Sequence, residues 1–205
     1  MTVVATNEET LMNHGNTAVQ RVVQWMEKRK LTIAPEKTEA VLLTTKRNVG
    51  LIEFEVQGVS IRPGKVLKQL GVWLDTKLNF GVHLDKTIQK AERTMSALSS
   101  LMPNLGGPRA SKRRILSSVI HSQLLYAAPA WQQAMKKQHL LRKMVRLQKI
   151  ICIRVCSGYR TISAEGAGVI SGIPPIDLLV DERFQLYEGR PTEEVKVSTM
   201  EKWQK

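Results

Sequence analysis

The sequence has few cysteines and no long apolar run, and both absences limit what the protein can be. Its 205 residues include two cysteines, Cys152 and Cys156, which lack disulfide-framework and zinc-binding spacing. We expect them to be reduced, buried, small apolar side chains. No apolar stretch approaches the ~18 residues that a membrane-spanning helix needs, and the first residues do not resemble a secretion signal. We therefore expect an intracellular protein, nuclear or cytoplasmic, that is neither secreted nor embedded in a membrane.

Acidic residues are absent from one long stretch of the chain. Between Arg93 and Ala164 the sequence has thirteen Lys and Arg and no Asp or Glu, whereas the remainder has eighteen of each sign. The whole net charge of +13 therefore lies in this stretch. A long segment of one sign favours binding to a polyanion, most commonly nucleic acid. The alternative is a solubilising helix surface, although such surfaces usually mix the two signs.

Groups that could support catalysis are also scarce. Metal-assisted phosphoryl transfer needs clustered carboxylates, but no two of the four aspartates are neighbours at the tip of a predicted hairpin. The four histidines lack metal-ligand spacing, and neither a nucleophilic serine motif nor a phosphate-binding glycine loop occurs. The sequence therefore predicts no metal site and no complete active site. The four aspartates are Asp75, Asp85, Asp177 and Asp181.

Hydrophobic periodicity predicts an α+β protein whose first part is a small α/β lobe with the order helix, strand, hairpin, strand. A capping box of Thr6 and Glu9 predicts a helix that runs to about Lys30. Pro35 then breaks the chain. The remaining predicted elements of this lobe are a buried strand at Glu39–Thr44, a hairpin of Ile52–Val56 and Val59–Ile61, and a strand at Val66–Leu74 with Gly71 in its middle.

Beyond Asp75 the apolar spacing changes to steps of three and four, which predicts an all-helical lobe. One helix has its apolar seam from Leu84 to Met102, and a third begins near Lys136. Between them, a second helix begins near Arg109, and its predicted course is marked by Ile115, Val119, Ser122 and Tyr126. Tyr126 and Trp131 are interpreted as packing residues. We divide the chain into domains at residues 1–78, 79–160 and 161–205, the last ending in a frayed segment.

Two groups of cations are candidate nucleic-acid contacts. The first turns of the second predicted helix are crowded with Lys and Arg, although cations there oppose the helix dipole. This conflict predicts that the side chains bind phosphate; the alternative is an exposed, flexible surface cluster. A second group on the third helix shares one side at spacings of four and three. The two groups are Arg109, Lys112, Arg113 and Arg114, and Arg142, Arg146 and Lys149.

Five segments in order give the chain a resemblance to a known family. They read LTIAPEKTEAVLL, LKQLGVWLD, LMPNLGGPRASKRRIL, LLYAAPAW and RVCSGYRTISAEGAGVISGIPPIDLLVDER. With them the chain resembles the reverse transcriptases of non-LTR (LINE-type) retrotransposons, most of all the group that inserts into ribosomal RNA genes. The resemblance extends from Met1 to about Arg190. It implies the end of the polymerase palm, a thumb and a connecting region.

The resemblance also implies roles for particular residues. Lys37 matches a palm lysine that is thought to help protonate the departing pyrophosphate, a general-acid role; the alternative is a solvated side chain. Leu70, Gly71 and Val72 match the primer grip, in which glycine would permit close backbone approach to the primer, although Gly71 could equally be a bulge in a packed strand. The helical lobe matches the thumb, which holds the template and primer by their backbones.

The chain departs from the family in lacking the Phe/Tyr-Ala-Asp-Asp hairpin that binds two catalytic metal ions. The intact polymerase is expected to use Mg²⁺, whereas we expect no cofactor and no polymerisation by this chain alone. We interpret the chain as a truncated reverse transcriptase fragment that retains a surface for RNA, DNA or RNA–DNA hybrid backbones. The alternatives are a helical protein-interaction module and a non-functional transposon relic. No oligomeric state follows from the sequence.

Overall fold

The computed structural model describes residues 1–103 and 107–204. Within them the chain is α+β, with helices accompanied by two separate pairs of antiparallel strands, so the predicted fold class is confirmed. The chain forms two compact units, Met1–Asn79 and Phe80–Lys205. Residues 104–106, within the loop that joins the first two predicted helices of the basic lobe, lie outside the described residues.

The first unit begins with helix α1, Glu8–Glu27. Its N-cap is Asn7, whose side chain accepts a hydrogen bond from the N–H of Thr10 at 2.7 Å, so the predicted capping box one residue earlier is wrong. Asn competes as well as Thr for this position. A Cβ added to the buried Gly15 of α1 would overlap the Phe54 ring. The missing side chain therefore allows α1 to pack closely on the first strand.

The predicted hairpin is confirmed, with strands β1, Phe54–Val56, and β2, Val59–Ile61. The turn residues Gln57 and Gly58 have φ of 49° and 81°, as two-residue hairpin turns require.

The predicted strand at Glu39–Thr44 is not formed as a regular strand. This segment makes one isolated parallel bridge, between Val41 and Gly64, and the N–H of Thr44 donates to the carbonyl of Thr76 at 3.0 Å. Its apolar centre is only partly buried. An apolar run predicts burial, but a ladder also requires a neighbouring strand with matching register. The segment therefore lies extended beside the rest of the unit.

The predicted strand at Val66–Leu74 is a hairpin. Strand β3, Val66–Gln69, pairs antiparallel with β4, Val72–Asp75. Leu70 and Gly71 form the turn, with φ of 47° and 84°. Gly71 is therefore neither in the middle of a strand nor a bulge. The sequence did not predict this turn because leucine is uncommon at the first position of a two-residue hairpin turn, where Asn or Asp is preferred.

This turn yields a pair of predictions of opposite sign. Gly71→Ala is expected to reduce amide protection in β3 and β4 about fivefold, because φ near 84° strains any residue with a Cβ. Leu70→Asn is expected to raise protection about twofold, because asparagine tolerates the left-handed conformation better than leucine. Hydrogen exchange of the hairpin amides measures both changes. Changes of the same sign in the two variants would contradict this description of the turn.

The second unit is helical throughout its described residues, apart from turns and loops. Helix α2 has His83, Leu84, Ile88 and Ala91 buried, which confirms the start of its predicted seam. Trp131 is fully buried and its indole N–H donates to the carbonyl of Tyr126 at 2.9 Å. The helices are α2 Gly81–Ser99, α3 Ala110–Leu124, α4 Ala128–Trp131, α5 Gln138–Cys156, α6 Ala164–Ser171, α7 Ile176–Tyr187 and α8 Thr192–Gln204.

Helix α3 buries a face that the sequence pattern did not indicate. Ile115 and Val119 are 68% and 44% exposed, and Tyr126, beyond the helix, is 53% exposed, so the interpretation of Tyr126 as a packing residue is wrong. The buried face is largely polar. Its His121 has a lowered pKa because burial disfavours the imidazolium, and Nδ1 donates to the carbonyl of Ser117 at 3.0 Å. The buried residues of α3 are Arg113, Ser117, Ile120, His121 and Leu124.

Both cysteines are free, and their environments differ. Cys152 is buried on the inner face of α5, whereas Cys156 is half-buried. Burial raises the pKa of the Cys152 thiol. The interpretation of these residues as buried small apolar side chains is confirmed for Cys152.

Candidate nucleic-acid interface

Helix α5 separates an apolar side from a cationic side. Its inner face is formed by apolar side chains, among them Leu140, Met144 and Leu147, each at most 2% exposed. Arg142 and Arg146 are exposed and Lys149 is half-buried. These three residues, which we call the α5 cation row, follow one side of the helix at spacings of four and three. Because a helix rises 1.5 Å per residue, the row spans about 10 Å.

The charge of the α5 cation row is not compensated by neighbouring acids. Helix α5 contains no Asp or Glu. The adjacent Lys143 forms an ion pair with Asp85 of α2, with 2.6 Å between Nζ and Oδ1. The Asp85 carboxylate is therefore already paired with a cation outside the row. Among the described residues, the ion pairs found include none of the three row residues. The row therefore presents three positive charges that are available to an external anion.

The cluster at the start of α3 is divided by the structure into exposed and internal cations. Arg109 and Lys112 are exposed. Arg113 is 3% exposed, and its guanidinium donates four hydrogen bonds to backbone carbonyls. Its acceptors are Pro108 at 2.7 Å from Nε, Met102 at 3.4 Å and Arg154 at 3.1 Å from Nη1, and Pro103 at 2.5 Å from Nη2.

These contacts correct the predicted role of Arg113. A guanidinium has five N–H groups, and four of them are already donated within the unit. One acceptor, Arg154, lies in the last turn of α5, where carbonyls lack helical partners. Arg113 therefore joins the segment that follows α2, the start of α3 and the end of α5, and it is not available to bind phosphate.

Arg114 has an intermediate position. Its Nε donates to the carbonyl of Ser171 at 2.6 Å, so its side chain lies across the end of α6. A Cβ added to Gly172, where φ is 67°, would lie 2.6 Å from Nη2. The residue is nevertheless exposed. Arg114 can therefore reach solvent with its remaining N–H groups, but with less freedom than Arg109 or Lys112.

The structure places the two cationic groups along α5. The contact between Arg113 and the carbonyl of Arg154 fixes the start of α3 beside the C-terminal end of α5. Arg142 lies twelve residues before Arg154, which is about 18 Å along the helix axis. Arg146 and Lys149 occupy the interval between them. The α5 cation row therefore lies along the side of α5, and the start of α3 lies near the C-terminal end of the same helix.

The predicted site residues of the first unit lie in a 3-10 turn and at the end of the β3–β4 hairpin. Lys37 closes a single 3-10 turn, Pro35–Lys37, and is exposed; its backbone N–H donates to the carbonyl of Ala34 at 3.0 Å. Leu70 is 86% exposed at the tip of the β3–β4 hairpin, whereas Val72 is buried. The three predicted primer-grip residues therefore form a hairpin tip with one outward and one inward side chain.

The resemblance to polymerases implies magnesium for the intact enzyme. Within residues 1–103 and 107–204, no three His, Cys, Asp or Glu side chains form a group that could hold a metal ion. We assign no metal-dependent step to these residues. In the same part of the chain, no helix has both the length and the apolarity to cross a membrane.

Comparison with known proteins identifies relatives of the chain. It is 27% identical over 184 residues to the retrovirus-related Pol polyprotein from type-1 retrotransposable element R1 2 of Nasonia vitripennis, which covers 85% of this chain and 44% of that protein. The chain is related to retrotransposon Pol polyproteins. The predicted retrotransposon origin is therefore confirmed.

Two further relatives support the same relationship for this retrotransposon-related chain. It is 27% identical over 132 residues to the 115 kDa protein in type-1 retrotransposable element R1DM of Drosophila melanogaster, covering 62% of the chain and 13% of that protein. It is 25% identical over 166 residues to the R1 Pol polyprotein of Nasonia vitripennis, covering 77% and 48%. The aligned part spans less than half of each relative. The chain matches no protein-family model, and no solved structure matches it.

The sequence contained signals that the predictions did not use. Arg113 falls on the same helical side as Ser117, Ile120 and Leu124, at spacings of four, three and four, and this register predicts an inward position. Lys143 lies beside the α5 cation row, but its pairing with Asp85 joins residues that are 58 positions apart in the sequence. The inward position of Arg113 could have been predicted from spacing, whereas the ion pair of Lys143 could not.

Proposed function

We propose that this chain is a part of a retrotransposon reverse transcriptase that binds RNA, DNA or RNA–DNA hybrid by the sugar-phosphate backbone. In this proposal residues 1–78 correspond to the end of the palm, 79–160 to a thumb-like lobe and 161–205 to the connecting region. The relationship to retrotransposon Pol polyproteins supports the assignment. The observation that carries the binding function is the α5 cation row, three unpaired positive charges on one side of a helix.

The proposed contacts are with phosphate and not with bases. One strand of a duplex presents a phosphate every ~3.4 Å along its axis, so the ~10 Å row of α5 spans about three of them. Arginine guanidinium groups bind phosphate oxygens with two parallel hydrogen bonds. Such contacts position a duplex without reading its sequence. The sequence contains no Asp-Asp pair, and we assign no polymerisation to this chain by itself.

A salt titration tests the proposal. With three to five phosphate contacts, the logarithm of the binding constant should fall with log salt at a slope of about −3 to −5. Affinity for a 20-base-pair RNA–DNA hybrid should then fall about 40- to 500-fold between 50 and 200 mM salt. Fluorescence anisotropy measures this, and two unrelated sequences should agree within about twofold. Absent binding at 50 mM salt, or a slope shallower than −1, would overturn the proposed function.

The exposed apolar side of α3 favours a second candidate, a protein-interaction module. Ile115 and Val119 are exposed on the same side of the helix, and a partner helix could cover them. For the basic surface, the alternative ligand to nucleic acid is an acidic partner protein. The same titration with poly-glutamate separates the two: a nucleic-acid surface should bind the hybrid at least tenfold more tightly, because guanidinium groups match phosphate geometry.

A further inference from the structure

Tyr159 is the most exposed aromatic side chain in the described part of the chain, at 87%. It follows directly on the end of α5, whose C-cap is Ser157 with φ of 53°. The N–H of Gly158 donates to the carbonyl of Ile153 at 3.0 Å, which closes the helix. A large ring so fully exposed to solvent gains nothing from burial within this unit. Packing within the second unit therefore does not account for a tyrosine at this position.

The turn that carries Tyr159 is anchored on both sides. The N–H of Ile162 donates to the carbonyl of Tyr159 at 3.2 Å, and the Ile162 side chain lies against both Gly158 and Gly166. Ser163 then caps α6, accepting a hydrogen bond from the N–H of Gly166 at 2.9 Å. These contacts fix the backbone on which Tyr159 is presented. The backbone that presents the exposed ring is thus ordered before any ligand binds, which lowers the entropy cost of binding.

Tyr159 lies next to a cation, within the stretch of sequence that has no acidic residue. Arg160 is exposed beside it, and Glu165 is the first acidic residue that follows along the chain. Lys149 lies seven residues before the end of α5, about 10 Å along the axis, which is about three phosphate spacings of one strand. An aromatic ring at the end of a basic track is typical of platforms on which unpaired bases stack.

We propose that Tyr159 stacks on an unpaired base of a nucleic-acid strand that lies along α5, while Arg160 binds a neighbouring phosphate. This inference rests on the proposed backbone-binding function and adds to it a preference for strands with an unpaired base. A base inside a duplex is already stacked on both faces, and its ring is not accessible to Tyr159. The site therefore distinguishes single strands and junctions from blunt duplexes.

The variant Tyr159→Ala tests the proposal. Its affinity for a 12-nucleotide single strand should fall about five- to 150-fold, the range measured for loss of one stacked base. Its affinity for a blunt duplex should change less than twofold, and the salt slope should not change because no charge is removed. Tyr159→Trp should keep the wild-type affinity. Tyr187→Ala removes a ring that is 77% exposed on α7 and should leave both affinities unchanged.

The outcomes separate this proposal from the function on which it rests. If Tyr159→Ala binds the single strand as tightly as wild type while charge reversal in the α5 cation row weakens binding, the stacking proposal is overturned and the backbone function stands. Equal losses for single strand and duplex would also overturn stacking. If the wild-type chain binds neither probe at 50 mM salt, both proposals fail.

Discussion

The double variant Arg142→Glu/Arg146→Glu is expected to bind an RNA–DNA hybrid at least about 200-fold more weakly than wild type at 50 mM salt. A phosphate contact contributes a salt slope of about −0.9, which corresponds to roughly 15-fold in affinity per contact at this salt concentration. Two contacts are removed, and two carboxylates that repel phosphate replace them. The salt slope should become shallower by about two. Anisotropy titrations at several salt concentrations measure both quantities.

A charge-matched control separates the α5 cation row from net charge. The variant Arg183→Glu/Lys196→Glu changes the net charge by the same amount, using exposed cations of α7 and α8. It should lose less than about fivefold in affinity, because Arg183 and Lys196 lie on helices other than α5, and a cation that does not contact phosphate releases no counterion from it. Comparable losses in the two double variants would mean that total charge governs binding. The α5 side would then not be the interface.

Arg113→Met is expected to destabilise the second unit by about 3 kcal/mol. Four carbonyls lose the guanidinium that joins them, and hydrogen bonds to charged groups contribute roughly 1.5–3 kcal/mol each, less where water can replace the donor. Methionine keeps much of the side-chain volume, so a cavity contributes little. Urea unfolding followed by circular dichroism measures the loss. Arg113→Lys should recover only part of it, because an ammonium cannot reproduce the planar fork.

The neighbouring Lys112 provides the control for Arg113. Lys112→Met removes an exposed cation one residue away and should change stability by less than about 0.5 kcal/mol. Binding should show the opposite order of effects. Folded Arg113→Met should keep the wild-type salt slope, whereas the salt slope of Lys112→Met should become shallower if Lys112 contacts phosphate. A shallower slope in Arg113→Met with unchanged stability would show that Arg113 binds phosphate after all.

Local sequence patterns were sufficient for α5. Its apolar residues recur every three or four positions, and Arg142, Arg146 and Lys149 fall on another side, so both faces followed from helical geometry. The turn at Gln57 and Gly58 was equally clear, because glycine supplies the positive φ that the turn needs. In each case the structure depends on residues that are close together in the chain.

The strands of the first unit were harder to predict because pairing is not local. Glu39–Thr44 has the composition of a buried strand, but it finds only an isolated bridge with Gly64. Val66–Leu74 has strand-like composition throughout, yet the chain reverses at Leu70 and Gly71. Apolar composition favours extended backbone at both places, and it does not specify which segment will be the neighbour or where the chain turns.

The sequence by itself determined the relationship to retrotransposon Pol polyproteins, the concentration of positive charge in one stretch, and the two faces of α5. Only the tertiary structure decided which groups the inward-facing Arg113 binds. Phosphate and backbone carbonyls both accept hydrogen bonds from a guanidinium, so the residue type alone does not predict which of them an arginine binds. Arg113 binds carbonyls because the fold places four of them around its guanidinium, those of Met102, Pro103, Pro108 and Arg154. Arg154 lies on α5, 41 residues further along the chain.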